Sequence, residues 1–129
     1  MNIGKAAKLS KLTIKAVRYY ANIGLVKPQQ NISTGYRNYT DEELAKLKFI
    51  GKARKFDFSI NECKELLSLY EDKNRTSKEV KKITLEKISQ IDGKLKDLKD
   101  LKKELNFLAS NCHGDDRPNC PILEELSNN

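Results

Sequence analysis

The chain has 129 residues, and Lys+Arg 25 against Asp+Glu 18 give it a formal net charge of +7. That length holds one compact domain with an appendage and excludes a multidomain enzyme. No apolar run approaches the ~20 residues of a membrane span, and MNIGKAAKLSKL lacks the apolar centre of a signal peptide, so a cytoplasmic protein with reduced thiols and no membrane partner is expected.

The charge is unevenly placed. Residues 1 to 40 carry Lys5, Lys8, Lys11, Lys15, Arg18, Lys27 and Arg37 and no acid, the electrostatic footprint of a polyanion binder. Within this block Ile3, Ala6, Ala7 and Leu9 predict a short helix, followed by a turn at Ser10-Lys11 and a second helix opening at Thr13. At ~100° per residue the second helix places Lys15, Arg18, Tyr19 and Asn22 on one face and Ile14, Val17 and Ala21 opposite. Two cations, an aromatic and an amide are side chains that read base edges and grip phosphates. The helix should end at Gly24. Beyond it Pro28 and Gly35 bracket a loop whose flanks can pair as a small β-hairpin, a wing presenting Tyr36 and Arg37. Helix-turn-helix plus wing favours double-stranded DNA as the partner.

Three S/T-x-x-E capping boxes follow, at Thr40–Glu43, Ser59–Glu62 and Thr76–Glu79, and they predict helices over 41–55, 60–70 and 77–110. Cys63, among Ile60, Leu66 and Leu67, reads as a small core residue. The last helix is about 50 Å long at ~1.5 Å per residue, more than a small domain can cover. Its apolar positions Ile88, Ile91, Leu95, Leu98 and Leu105 step by three and four, interrupted by Lys102 and flanked by Leu85, Leu101 and Leu108. So narrow a stripe reads as a coiled-coil seam that an antiparallel or parallel helix of a second chain covers, the alternative being packing onto its own domain. Gly93 costs about 1 kcal/mol of helix propensity, which packing has to offset.

The segment NCHGDDRPNC closes the argument. Cys112 and Cys120 end a loop stiffened by Pro118 and Pro121, and Pro121 opens a short helix, PILEEL, with Cys120 at its N-cap. The positive end of that helix favours thiolate over thiol. Two thiolates without an evident third or fourth ligand suit Cu(I), a soft ion that accepts two sulfurs in line, better than zinc, which takes four ligands. Two thiolates and a +1 ion leave −1, a charge that a helix terminus stabilises. The competing readings are a disulfide, a structural zinc site, a divalent site completed by His113, and no site at all. Asp115 and Asp116 are hard ligands, and Arg117 is their expected neighbour.

The run TIKAVRYYANIGLVKP, the wing STGYRNYT, the long helix and the cysteine loop together resemble the MerR family of bacterial transcription regulators over essentially the whole chain. The loop resembles the CueR-type copper-efflux regulators in particular. The resemblance implies a mainly α fold in three parts: a winged helix-turn-helix domain with connecting helices over 1–73, a dimerisation helix forming an antiparallel coiled coil over 74–111, and a metal-binding loop with a short terminal helix over 112–129. It implies a homodimer on a palindromic promoter element, which activates by distorting the DNA so that RNA polymerase can engage. By position, Lys15 and Arg18 meet the major groove, and Tyr36 and Arg37 the backbone beside the wing. Ser77 occupies the position where sensors of divalent ions place a cysteine, so the implied response is to Cu(I), Ag(I) and Au(I). Asp57 stands where the family has glycine, and a left-handed backbone is expected there. The alternatives are a divalent or mercuric sensor, a copper buffer or chaperone, and a thiol redox sensor. No phosphate loop or Ser/His/Asp set supports an enzyme.

Overall fold

The computed structural model describes residues 1–30 and 32–128; Asn31, inside the expected wing loop, lies outside them. Among the described residues there are six helices and one two-stranded sheet: α1 (Ile3–Ser10), α2 (Ile14–Asn22), β1 (Gln29–Gln30), β2 (Arg37–Asn38), α3 (Asp41–Lys55), α4 (Ile60–Glu71), α5 (Ser77–Asn111) and α6 (Pro121–Ser127). The chain forms two compact units, Met1–Lys82 and Ile83–Asn129, and α5 begins in the first and ends in the second.

In the first unit α1 packs on α2 and α3, and α3 packs on α4. Its core is built from Ala6, Ala7, Val17, Tyr20, Val26, Tyr39, Leu47, Ile50, Phe58, Cys63 and Leu67. The wheel of α2 placed Val17 inside, as observed. It also placed Ile14 there, and Ile14 is 46% exposed because it sits in the first turn, beyond the reach of the neighbouring helices. Leu9 is likewise 44% exposed at the end of α1. Tyr20, which the wheel did not single out, takes the inner place.

The caps explain the helix boundaries. At α4 the Ser59 hydroxyl accepts from the Glu62 N–H at 3.1 Å, and the Glu62 carboxylate accepts from the Ser59 N–H at 2.8 Å. Both halves of the box satisfy donors that the helix start leaves orphaned. Ser59→Ala is therefore expected to lower unfolding free energy by about 1 kcal/mol, read from the urea midpoint at unchanged slope. At α3 the buried Glu43 accepts from the Thr40 N–H at 2.9 Å and from its hydroxyl, and Gln29 of β1 donates to it at 3.4 Å. Burial alone would raise the Glu43 pKa, but these hydrogen bonds outweigh it and hold the carboxyl below its ordinary value. The same carboxylate thus starts α3 and ties down the wing. At the start of α5 the Glu79 N–H donates to the Thr76 hydroxyl at 3.4 Å. Asp57, between α3 and α4, has φ 69°, the left-handed backbone expected of that position.

In the second unit α5 runs straight through Gly93, where nothing lies within 4 Å of the space a Cβ would fill. The glycine is not required for any close approach within this chain. Leu85, Ile88, Leu95, Leu98, Leu101, Leu105 and Phe107 are 49% to 67% exposed, so the stripe on α5 is an uncovered apolar face. Among the described residues no helix is long and apolar enough to cross a membrane.

Candidate DNA interface and metal centre

The first candidate site grows from α2. Thr13 caps the helix by accepting from the Ala16 N–H at 3.0 Å, and burial of Val17 and Tyr20 fixes the rotation of the helix about its axis. That rotation leaves Lys15, Arg18, Tyr19 and Asn22 in solvent, the four side chains expected on the reading face. The Tyr19 ring lies 5.9 Å from that of Tyr20, tilted by 53°, so the outer aromatic is braced by the buried one.

The wing forms as an antiparallel pair, Gln29 opposite Asn38 and Gln30 opposite Arg37. Its loop turns at Gly35, with φ 72°, a left-handed conformation that glycine adopts without strain. The Gln30 side chain donates to the Gly35 carbonyl at 3.3 Å, and the Tyr36 N–H donates to the Thr34 hydroxyl at 3.3 Å. Tyr36 is 77% exposed at the tip and Arg37 is exposed beside it. At the other end of β2 the Tyr39 N–H donates to the Met1 carbonyl at 2.7 Å. Burial raises the Tyr39 pKa, and the charges of Arg37 and Arg18 pull it the other way. A cleft of about 180 Å³ between α2 and the wing is lined by Ala21, Asn22, Lys27, Pro28, Gln30 and Arg37. It joins the expected Asn22 and Arg37 and adds Lys27 and Gln30, which the helical wheel could not supply because they follow the helix.

The second candidate site lies at the end of α5. The Cys112 N–H still donates to the Ala109 carbonyl at 3.2 Å, so the first sulfur is carried by the last turn of the helix. Gly114, at φ 65°, reverses the chain. Asp115 then closes a turn on Arg117, accepting from its N–H at 3.0 Å and from its guanidinium at 2.7 Å. Arg117 holds the Asp115 carboxyl below the usual carboxylate range. The aspartate is thus committed to the loop itself, as expected from its hardness as a ligand.

Cys120 is the N-cap residue of α6 and Pro121 opens the helix, as the motif required. The two sulfurs stand 3.9 Å apart, half-exposed and not joined as a disulfide. Two metal–sulfur bonds of ~2.3 Å set in line hold their sulfurs ~4.6 Å apart, so this pair stands near that separation and has to open slightly to take a soft cation linearly. The Cys120 pKa is lowered. The first-turn N–H of Leu123, facing the sulfur without closing a cap hydrogen bond, is the largest cause; the N–H of Ile122 and the Cys112 thiol add to it, and burial and Glu124 oppose it. His113 is exposed, and no group of three His, Cys, Asp or Glu side chains is gathered for a metal among the described residues. Ser77 is exposed at the first position of α5. Cys63 is fully buried, its thiol 3.9 Å from the Phe58 carbonyl, a core residue as read.

Two family models match the chain, one described as a MerR HTH family regulatory protein over residues 1–70 and one as MerR, DNA binding, over residues 44–108. The chain is 47% identical over 127 residues to the HTH-type transcriptional regulator HmrR of Rhizobium leguminosarum bv. viciae, covering 98% of each. It is 42% identical over 127 residues to the HTH-type transcriptional regulator CueR of Salmonella typhimurium, covering 98% of this chain and 92% of that one. Among solved structures, the transcription regulator PbrR691 from Ralstonia metallidurans CH34 in complex with lead(II) superposes with a TM-score of 0.82 at 29% identity, covering 98% and 99% of the two chains.

Proposed function

Because this chain belongs to the MerR family of metal-responsive, DNA-binding transcription regulators and is not an enzyme, we propose that it is a Cu(I)-responsive activator of copper efflux or homeostasis genes, answering Ag(I) and Au(I) as well. The observation that carries this reading is the pair of thiols, Cys112 and Cys120, 3.9 Å apart with no third ligand gathered beside them among the described residues. A two-sulfur donor set is soft, and it leaves a divalent ion short of its four ligands. Ser77, a hydroxyl at the position of a possible third sulfur, supports the same selection. His113 is left outside the ligand set.

Bound Cu(I) would link the sulfur at the end of α5 to the sulfur at the start of α6. The chain's own groups do the rest. The lowered pKa of Cys120 keeps thiolate available, and the Asp115–Arg117 turn holds the loop that separates the sulfurs. The exposed stripe on α5 is covered by the same stripe of a second copy in an antiparallel coiled coil, since one helix cannot bury its own seam. Each protomer then presents one α2 to a half-site, Lys15 and Arg18 toward base edges and Tyr36 and Arg37 toward the backbone. Two recognition helices held by one rigid dimer couple the loop to promoter DNA, whose distortion lets RNA polymerase engage.

The test is an anaerobic titration of the reduced protein with Cu(I) against a calibrated chelator, repeated with Zn(II). Tight Cu(I) binding at one ion per loop with much weaker Zn(II) binding is the expected result. Zn(II) binding equal to or tighter than Cu(I) would withdraw the copper assignment in favour of a divalent or mercuric sensor.

A further inference from the structure

The first unit has a further concavity, away from the cleft between helix and wing. A groove of about 580 Å³ runs between the α1–α2 turn and α3, rimmed by Lys11, Lys48, Lys52 and Lys55 over a floor of Leu9 and Leu12. Gly51 makes it possible. A Cβ at that position would stand 3.2 Å from Leu12 Cδ2 and 3.7 Å from the Ser10 carbonyl oxygen, so the absence of a side chain lets the turn settle onto α3. Lys11, in the left-handed conformation at φ 59°, then faces the same groove as the lysines of α3.

All four lysines are exposed, none is ion-paired among the described residues, and no acidic side chain lines the groove. The acids of α3, Asp41, Glu42 and Glu43, are confined to its first turn at the opposite end. Such a bank of unneutralised charge repels itself in the free protein, and an anionic partner relieves that repulsion. The apolar floor carries the lysine stems and keeps the ammonium groups extended toward the rim.

The place of the bank in the chain points to what it binds. Lys11 lies two residues before Thr13, the cap of the helix that reads DNA. A helix seated in a major groove ~12 Å wide is bounded by phosphates on either side, so a cation at the turn that opens the helix meets backbone. Lys48, Lys52 and Lys55 share one face of α3. At ~1.5 Å per residue they span about 10 Å, which matches about three nucleotide steps at ~3.4 Å of rise per strand. We propose that this groove is a second phosphate-binding surface, which grips the sugar-phosphate backbone beside the segment read by α2. The inference rests on the DNA-binding reading above and extends its footprint.

Salt dependence tests it, because each phosphate neutralised contributes about 0.9 to the slope of log affinity against log salt. The probe is a labelled mixed-sequence duplex of about 40 base pairs, titrated by fluorescence anisotropy between about 50 and 200 mM salt. The variant carrying Lys48→Gln, Lys52→Gln and Lys55→Gln should bind with a slope shallower by about 2 to 3 and more weakly at the low-salt end. The triple Lys→Arg variant at the same positions should keep the wild-type slope. A Gln variant whose slope equals that of the wild type would overturn the proposal and leave an acidic protein segment as the occupant to seek. An Arg variant that loses slope like the Gln variant would also overturn it, since the effect would then be structural. Wild-type protein that shows no salt-sensitive binding to the duplex would overturn the DNA-binding assignment of α2 first, and this one with it.

Discussion

Cys112→Ser and Cys120→Ser are each expected to lower Cu(I) affinity by on the order of a thousandfold or more, while leaving affinity for duplex DNA within about twofold. The magnitude follows from the size of the donor set. Losing a group that merely hydrogen-bonds a metal ligand costs about 10–100-fold, and here half of all the ligands would go, replaced by a hard hydroxyl that a soft ion disfavours. The first-turn amides of α6 hold the Cys120 thiol below its ordinary value, so its thiolate survives to lower pH than an ordinary thiol. Affinity for Cu(I) should fall as pH drops and protons compete for sulfur. In Cys112→Ser the first-turn amides of α6 still lower the surviving Cys120 thiol, so residual binding should persist below the pH at which an ordinary thiol would lose the ion. The measurement is the chelator competition repeated over a pH series. Serine variants that retain wild-type Cu(I) affinity would remove the loop from the metal site altogether.

Much of this architecture was legible because it is written in local chemistry. The boxes at Thr40, Ser59 and Thr76 announce helix starts with side chains that satisfy the first backbone donors, and α3, α4 and α5 begin at Asp41, Ile60 and Ser77. Pro28 and Gly35 bracketed the wing because proline fixes φ while glycine takes the positive φ, 72°, that the turn requires. The wheel of α2 succeeded for Val17 and failed for Ile14, since angle says which face a residue is on and nothing about whether a neighbour reaches that far along the axis. In the cysteine loop the spacing suggested a shared site, but the 3.9 Å approach of the sulfurs depends on Gly114 and on the turn that Arg117 closes upon Asp115. No pattern in residues 112–120 encodes that distance. The lysine groove was illegible for a different reason. Its members lie up to 44 positions apart, Lys11 to Lys55, and meet only because Gly51 has no side chain.

The replacement of Lys15 and Arg18 together by alanine is the mirror image of the cysteine substitutions. Each good base-edge contact is worth about 1–3 kcal/mol of discrimination, so the pair is expected to cost about 2–6 kcal/mol on the specific promoter element, roughly thirtyfold to twenty-thousandfold. Cu(I) affinity should not change, because neither side chain belongs to the unit that carries the sulfurs. The loss should also differ in kind from that caused by emptying the lysine groove. Phosphate contacts weaken binding to all sequences alike and flatten the salt slope, whereas base contacts set the gap between specific and non-specific DNA. The double variant should therefore bind its promoter little better than mixed-sequence duplex, with most of the salt dependence retained. Gel-shift titrations on both DNAs, run beside the chelator competition, read all of these quantities. Undiminished promoter preference in the variant would remove α2 from the reading role. A protein that binds Cu(I) tightly and never prefers any promoter would be a copper buffer, with its basic first forty residues serving some other anion.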